Sequence, residues 1–149
     1  MEKEIAEKKE ATFKESIQHM HCKTQVWISE IKFIKQEQNF LKELLTEHII
    51  GFCDSENFTR AKLYLNCINQ EVTISETLSK SIQEHKVNLS LLIENIYLKK
   101  EDAFRKNNTY LKKEVENFID NFKCIKTQVF DLVLMIFKIQ KEKNDAIPE

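Results

Sequence analysis

Glycine and proline are almost missing from this chain, since Gly51 and Pro148 are the only examples in 149 residues. Glycine supplies the positive φ angles of tight turns, and proline starts turns and interrupts helices. A chain with so few of both makes few tight turns, so its secondary-structure elements must be long. Strand-rich folds need many turns and are therefore disfavoured. The abundance of Lys, Glu, Leu, Ile and Asn is typical of helices with a solvated face.

Apolar side chains recur at alternating spacings of four and three residues in three segments of the chain. These segments cover residues 13–48, 58–96 and 104–139. The pattern is the seam typical of helices that pack side by side. Short connections between long helices make neighbouring helices antiparallel. We therefore expect an all-α protein, an elongated antiparallel (up-down-up) three-helix bundle that resembles a coiled coil.

The first connection between helices is well marked. Gly51 stands where the residue after a helix C-terminus adopts the left-handed conformation, and Asp54 or Ser55 offers an N-cap oxygen to the next helix. Thr73 and Glu76 form an alternative helix start with the spacing of a capping box. The apolar pattern nevertheless continues in phase through them, which favours an unbroken second helix.

The second connection is marked less sharply. The apolar pattern slips between Ile96 and Phe104, and the Asn-Asn-Thr sequence at 107–109 is an alternative turn. Matching helix lengths favours the earlier position. We expect a single helical-bundle domain over 1–149 and a flexible C-terminal tail at 144–149. The expected helices lie near 5–50, 55–99 and 102–143.

Charge and composition disfavour several classes of partner. The net charge is −1 and only Arg60 and Arg105 are arginines, so the basic footprint of a nucleic-acid-binding protein is missing. The charged N-terminal residues contain no secretory signal. The longest apolar run, 129–139, is too short for a membrane span and is interrupted by Asp131 and Lys138.

These observations favour a cytoplasmic protein without a transmembrane segment. Its cysteines are widely spaced and include no CxxC pair, so we expect free thiols. They are Cys22, Cys53, Cys67 and Cys124.

The His-Met-His-Cys sequence at 19–22 carries the sharpest metal-binding pattern, because His and Cys are ligands suited to Zn or Cu. Folding the first helix onto the second brings His21 level with His85, and the third helix brings Asp120 to about the same level. A site made of these three residues is conceivable. The outer two residues of the motif point away from the seam, however, so we favour ordinary surface residues and expect no metal or other cofactor.

Catalytic patterns are not apparent in the sequence. No histidine follows a glutamate by three residues, as the ligands of di-iron bundles do, and one glycine cannot build a phosphate-binding loop. Spacing alone leaves a Cys–His nucleophile pair open. A bundle offers no obvious concave pocket to activate such a pair, so we predict that the protein is not an enzyme.

Polar residues interrupt the apolar seams. Such residues can determine the register of packed helices at a cost in stability. They are Thr24, Gln38, Ser75, Ser79, Lys86 and Asn108.

The first and third helices carry more apolar residues than their seams require, and these extra residues are the most informative about function. They widen the first and third helices toward the same end, which predicts a protein-binding surface. Cover by the chain itself and contact with a membrane surface are the alternatives. The candidate interface residues are Val26, Phe33, Phe40, Leu44, Phe130, Leu134 and Phe137.

The seams resemble helical bundles and coiled coils in general and carry no signature of a particular family. The sequence favours a non-catalytic interaction or scaffold protein that acts through helix–helix contacts, either as a homodimer or within a complex of proteins. The alternative is a bundle that binds a metal or a small ligand through His21 and His85.

Overall fold

Three long helices contain nearly all of the residues that the structure describes. The computed structural model describes residues 2–48, 55–94 and 101–145. The helices are α1 (Glu2–Glu47), α2 (Ser55–Ile93) and α3 (Glu101–Asp145). Among the described residues only His48 and Glu94 lie outside a helix, and none forms a strand. The expected all-α three-helix bundle is confirmed, whereas Gly51 and Asp54 lie outside the described residues.

The helix ends differ slightly from the expected positions. α1 begins at Glu2, because acidic residues in a first turn interact favourably with the positive end of the helix dipole. α3 continues to Asp145, past the expected end near 143, and Lys143 supports its last turn in the same way. The first two residues of the expected tail, 144 and 145, therefore belong to the helix. Residues 146–149 lie outside the described residues.

The two alternative breaks are not used. α2 runs without interruption through Thr73 and Glu76, and the Asn-Asn-Thr sequence at 107–109 lies inside α3. The second connection falls after α2 ends at Ile93 and before α3 begins at Glu101. This is the earlier of the two positions, as matched helix lengths favoured.

The helices contribute to two compact units, each built from a segment of all three. Unit 1 comprises Met1–Lys32 and Glu76–Glu116, and unit 2 comprises Phe33–Ser75 and Asn117–Glu149. A single bundle domain was expected from the sequence. The seam residues form the core of each unit, as the four-three spacing predicts.

One cluster in the core of unit 1 is contributed by all three helices. Ile17, Leu89, Leu92 and Phe104 are buried in it, with partly buried apolar side chains packed around them. Burial of such a side chain contributes about 1.5–3 kcal/mol before conformational entropy is subtracted. The edge of Phe104 meets Phe13 with 6.1 Å between the ring centroids, which adds an α1–α3 contact.

Polar contacts in unit 1 give the direction of α3 relative to α2. His85 is hydrogen-bonded to Asn108, whereas Leu89, further along α2, lies in the cluster with Phe104, an earlier residue of α3. Contacts that move forward on one helix and backward on the other require antiparallel helices. The up-down-up order expected from short connections agrees with this.

The core of unit 2 lies between α1, α2 and α3 in the same way. Its side chains are at most 7 % exposed. They include Ile34, Leu41, Leu45, Ala61, Ile68, Phe118, Phe122, Val129, Leu132, Val133 and Ile136. Two contacts connect α1 to α3 with the same sequence separation. Glu37 pairs with Lys126 at a separation of 89, and His48 meets Phe137, which is also 137 − 48 = 89 residues away. A constant separation means that α1 and α3 are parallel in this unit.

Candidate functional site

Several exposed apolar residues of unit 2 lie on α1 and α3, in the segments joined by the Glu37–Lys126 ion pair. Phe33 is 61 % exposed and Leu134 is 60 % exposed, and Phe40 and Phe137 are also exposed. Leu44 and Phe130 are half-buried. These residues belong to the interface predicted from the sequence. Together they form a surface that we call the α1–α3 groove, which consists of Phe33, Phe40, Leu44, Phe130, Leu134 and Phe137.

An ion pair joins α1 to α3 beside the two rows. Lys126 Nζ donates to Glu37 Oε2 over 2.6 Å, which joins α3 to α1. Residues three or four apart on a helix share a face, so Phe33 and Phe40 flank Glu37 on α1. Phe130 follows Lys126 by one turn on α3. The apolar rows therefore lie on the sides of α1 and α3 that approach each other.

An aromatic contact extends the groove toward the end of α1. The ring of His48 meets the ring of Phe137 in an edge-to-face arrangement with 4.8 Å between centroids. Such arrangements place the positive ring edge against the negative face of the other ring. Phe137 nevertheless keeps 43 % of its surface exposed, so the contact covers the side chain only in part.

Some of the predicted apolar excess is covered by the chain itself. Val133, which widens the α3 stripe in the sequence, is 2 % exposed and belongs to the core of unit 2. Leu44 and Phe130 are partly covered. Val26 lies in unit 1 and is exposed on α1, seven residues before Phe33. Intramolecular cover thus explains part of the stripe but not its most exposed members.

Charged side chains of opposite sign border the two sides of the groove. Glu47 follows Leu44 by three residues and is exposed, so it lies with Glu37 on an acidic rim along α1. On α3 the exposed Lys123 precedes Phe130 by seven residues, and the exposed Lys141 follows Phe137 by four. These two lysines and Lys126 form a basic rim along α3.

The histidine considered as a metal ligand on α2 is fully buried and hydrogen-bonded. His85 is 1 % exposed. The amide nitrogen of Asn107 lies 3.3 Å from Nδ1, and the amide oxygen of Asn108 lies 3.0 Å from Nε2. An amide nitrogen only donates and an amide oxygen only accepts, so Nε2 carries the proton of a neutral ring. Burial lowers the pKa of His85, and the hydrogen bond to Asn108 partly opposes that shift.

The second candidate ligand, His21, has a different partner from the one its sequence position implied. The hydroxyl of Ser90 donates to the Lys86 carbonyl over 3.0 Å, so it accepts a hydrogen bond from His21 Nε2, also at 3.0 Å. His19 and Cys22 are exposed, as expected for residues that point away from the seam. Asp120 belongs to unit 2 and is exposed. Within the described residues, no group of three or more His, Cys, Asp or Glu side chains could hold a metal ion.

Asparagines 107 and 108 are polar contacts that sequence reasoning did not assign. Asn108 is a polar residue of the α3 seam, and the sequence offers the pair as an alternative turn. In the helix their amides instead satisfy both ring nitrogens of His85. The usable signal was a polar seam position on α3 whose side chain required a partner in the core.

Buried polar groups in unit 2 differ in how they are satisfied. The hydroxyl of Ser75 is fully buried and donates to the Val72 carbonyl over 2.6 Å. Gln38 is 1 % exposed, and neither its amide oxygen nor its amide nitrogen has a hydrogen-bond partner in the described part of the chain. One carboxylate oxygen of Glu71 is also buried without a partner there, and burial raises the pKa of this side chain. These groups cost stability and were not singled out as a site by the sequence.

Searches against known proteins provide no further assignment. No protein-family model matches the chain, and neither the curated proteins nor the solved structures include a match. None of the helices in the described ranges has an apolar stretch long enough to cross a bilayer. Cys22, Cys67 and Cys124 are free thiols, while Cys53 lies outside the described residues.

Proposed function

We propose that this protein is a non-catalytic interaction or scaffold protein, and that the α1–α3 groove is its binding surface for a helix of a protein partner. The observation that carries the proposal is the pair of exposed apolar rows on facing sides of α1 and α3. Contiguous apolar patches beyond a few hundred Å² are uncommon on monomeric proteins and mark contact sites. Aromatic side chains dominate the binding energy of many such contacts.

The exposed area of the groove is large enough for a specific contact. A phenylalanine buries about 150–250 Å² when fully covered, so four apolar side chains about half exposed present roughly 400 Å². The largest apolar patch on a typical monomer is about 300–600 Å², and a patch of this size is often functional. The groove therefore accounts for the apolar core of an interface, around which charged rims complete the contact.

The spacing of the apolar residues fits a helical partner. Phe33 and Phe40 are seven residues apart on α1, and Phe130 and Phe137 are seven apart on α3. Two helical turns separate the members of each pair, which is the interval at which a packed helix presents its own anchors. Adjacent packed helices lie about 8–10 Å apart, so the space above them accepts a further helix.

The chemistry of the groove favours contact over catalysis and protein over nucleic acid. Its lining supplies apolar area, and its basic rim on α3 is balanced by the acidic rim on α1. The proposal therefore assigns no reaction and no cofactor to this surface. We also propose that the protein is cytoplasmic, as the sequence leads us to expect.

A groove variant with a matched control tests the proposal. Phe33→Glu with Leu134→Glu places charges on the two most exposed groove residues. Leu63→Glu is the control, because Leu63 is 56 % exposed on α2 in the same unit but lies outside the groove. Both proteins should keep the wild-type circular dichroism spectrum, because the substituted side chains lie outside the core.

Complexes formed by the wild type, with itself or with other proteins, should be lost in the groove variant and kept in the control. Chemical cross-linking followed by mass spectrometry measures both. Retention of every complex by a folded groove variant would disprove a binding role for the groove.

A further inference from the structure

We propose that the occupant of the α1–α3 groove is a second copy of this chain, with α1 of each copy packed on α3 of the other. The two copies are related by a two-fold axis that lies in the interface, parallel to the helices. The inference rests on the proposed function and names the partner of the same groove. A two-fold interface must be complementary to itself, because each copy presents the same surface.

The charged rims make the groove self-complementary in this arrangement. α1 carries the acidic rim of Glu37 and Glu47, and α3 carries the basic rim of Lys123, Lys126 and Lys141. Glu37 and Lys126 already pair within each copy. Packing α1 against α3 of the partner therefore brings Glu47 toward Lys141, which lies five residues beyond its level on α3. Packing α1 against α1 would place like charges together, which is unfavourable. The charge pattern therefore selects one of the two ways in which the faces can meet.

The register between α1 and α3 aligns the apolar rows as well. The parallel helices of unit 2 are offset by 89 residues at the Glu37–Lys126 pair. Adding that offset to Phe40 gives position 129, next to Phe130, and adding it to Leu44 gives 133, next to Leu134. A two-fold axis parallel to the helices preserves these levels. Phe40 of each copy therefore meets Phe130 of the other.

The area available agrees with what a specific dimer needs. Two grooves of roughly 400 Å² supply about 800 Å² of apolar surface, and interfaces are about 56–65 % apolar. The total then lies at the lower end of the range of about 1,200–2,000 Å² for specific complexes.

Sedimentation equilibrium of the full chain tests the partner directly. The wild type should move from monomer to dimer across roughly 1–200 μM, the range that brackets a micromolar dissociation constant. Phe33→Glu with Leu134→Glu should remain monomeric throughout, while the control variant Leu63→Glu should dimerise like the wild type. Circular dichroism of each sample shows that the chain is folded.

A charge exchange tests the arrangement of the two copies. Glu47→Lys alone and Lys141→Glu alone should each weaken self-association about tenfold, because two symmetry-related attractions become repulsions. An equimolar mixture of the two variants should recover the wild-type affinity. In the mixed dimer, one contact between positions 47 and 141 has both of its charges exchanged, and the other contact is native. Both contacts are therefore attractive. A mixture no tighter than its components overturns the packing of α1 on α3.

The outcomes separate this inference from the proposed function. A wild type that stays monomeric at the highest concentration overturns the second copy as occupant. If a different protein then binds the wild type and the Leu63→Glu control but not the groove variant, the groove remains a binding surface with another occupant. Binding to phosphatidylserine vesicles with the same pattern would identify a membrane surface instead. A dimer that survives the groove substitutions overturns the second copy as occupant. It overturns the proposed function as well only if complexes with every other protein also survive.

Discussion

Lys126 reaches Glu37 across the space between α3 and α1, with Nζ 2.6 Å from Oε2. The same ammonium group lies 5.9 Å from the centre of the Phe122 ring. The pair stands among the apolar residues of the groove and joins its two sides. The pair therefore places one positive and one negative charge at the position where a partner helix would pass.

We expect this ion pair to contribute little to stability. The side chains are 41 % and 26 % exposed, and solvent screening reduces the coupling of such pairs to about 0.2–1 kcal/mol. A double-mutant cycle with Lys126→Met and Glu37→Gln, followed by urea unfolding, measures the coupling. Raising the salt concentration to about 1 M should remove most of it. A coupling energy above about 2 kcal/mol would show that the pair is a main stabilising contact of unit 2.

Acid should destabilise the protein through His85. Burial lowers the pKa of His85 below its ordinary value of 6.5, so the unfolded chain binds the proton more readily than the folded chain. The stabilising effect of the neutral ring is complete above the ordinary pKa of 6.5. It is lost as the pH falls from 6.5 toward the lower pKa that His85 has in the folded chain. Protonation also converts Nδ1 to a donor facing the amide nitrogen of Asn107. Urea unfolding at pH 8, 6.5 and 5 measures the change.

Two variants assign this pH dependence to a single ring. His85→Gln removes the titrating group, so its stability should change less between pH 8 and 5 than that of the wild type. His19→Gln is the matched control, because His19 is exposed on α1 and should leave the profile unchanged. The same acid dependence in wild type and His85→Gln would mean that other groups are responsible.

The helical architecture was predictable because its determinants are local. Near-absence of glycine and proline and a continuous four-three spacing specify long helices without reference to any partner. The preference for the earlier second connection was also correct, since Asn107 and Asn108 continue α3 and bond to His85. Helix lengths, rather than the polar character of those asparagines, provided that information.

The details of the site depend on rotation and register, which spacing does not determine. His21 was expected level with His85, but it bonds to Ser90, because the level of α2 depends on the chain that connects it to α1. Val133 and Leu134 are adjacent in the sequence, yet one is core and the other is 60 % exposed. Only the position of α1 beside α3 distinguishes them, so a wide apolar stripe alone could not separate core from groove.

A buried aromatic residue of unit 2 should be far more sensitive to truncation than an exposed apolar residue. Phe118 is 2 % exposed on α3, and Phe118→Ala would leave a cavity in the core. We expect a loss of about 3–5 kcal/mol in the free energy of unfolding. Leu63→Ala should cost less than about 0.5 kcal/mol, because that side chain is mainly in solvent. Urea unfolding monitored by circular dichroism compares them, and equal losses would contradict the described core.

Gln38 occupies a core position of α1 that an apolar residue could fill. Ile34 and Leu41, one turn to either side, are buried in the same seam. Leaving a buried polar group without a partner costs about 1–3 kcal/mol, and both polar atoms of this amide are in that condition among the described residues. A polar residue retained at such a cost is the usual device for determining helix register.

Replacement of Gln38 by methionine should therefore stabilise the protein and weaken its preference for a single helix register. Methionine is also unbranched and similar in length, so Gln38→Met removes the unpaired amide without overfilling the seam. We expect a gain of about 1–2 kcal/mol in the free energy of unfolding, measured with urea. Gln38→Glu should destabilise instead, because it places a charge at the same buried position. A loss of stability in Gln38→Met would show that the amide is paired in solution, through an internal water or a side chain of α2.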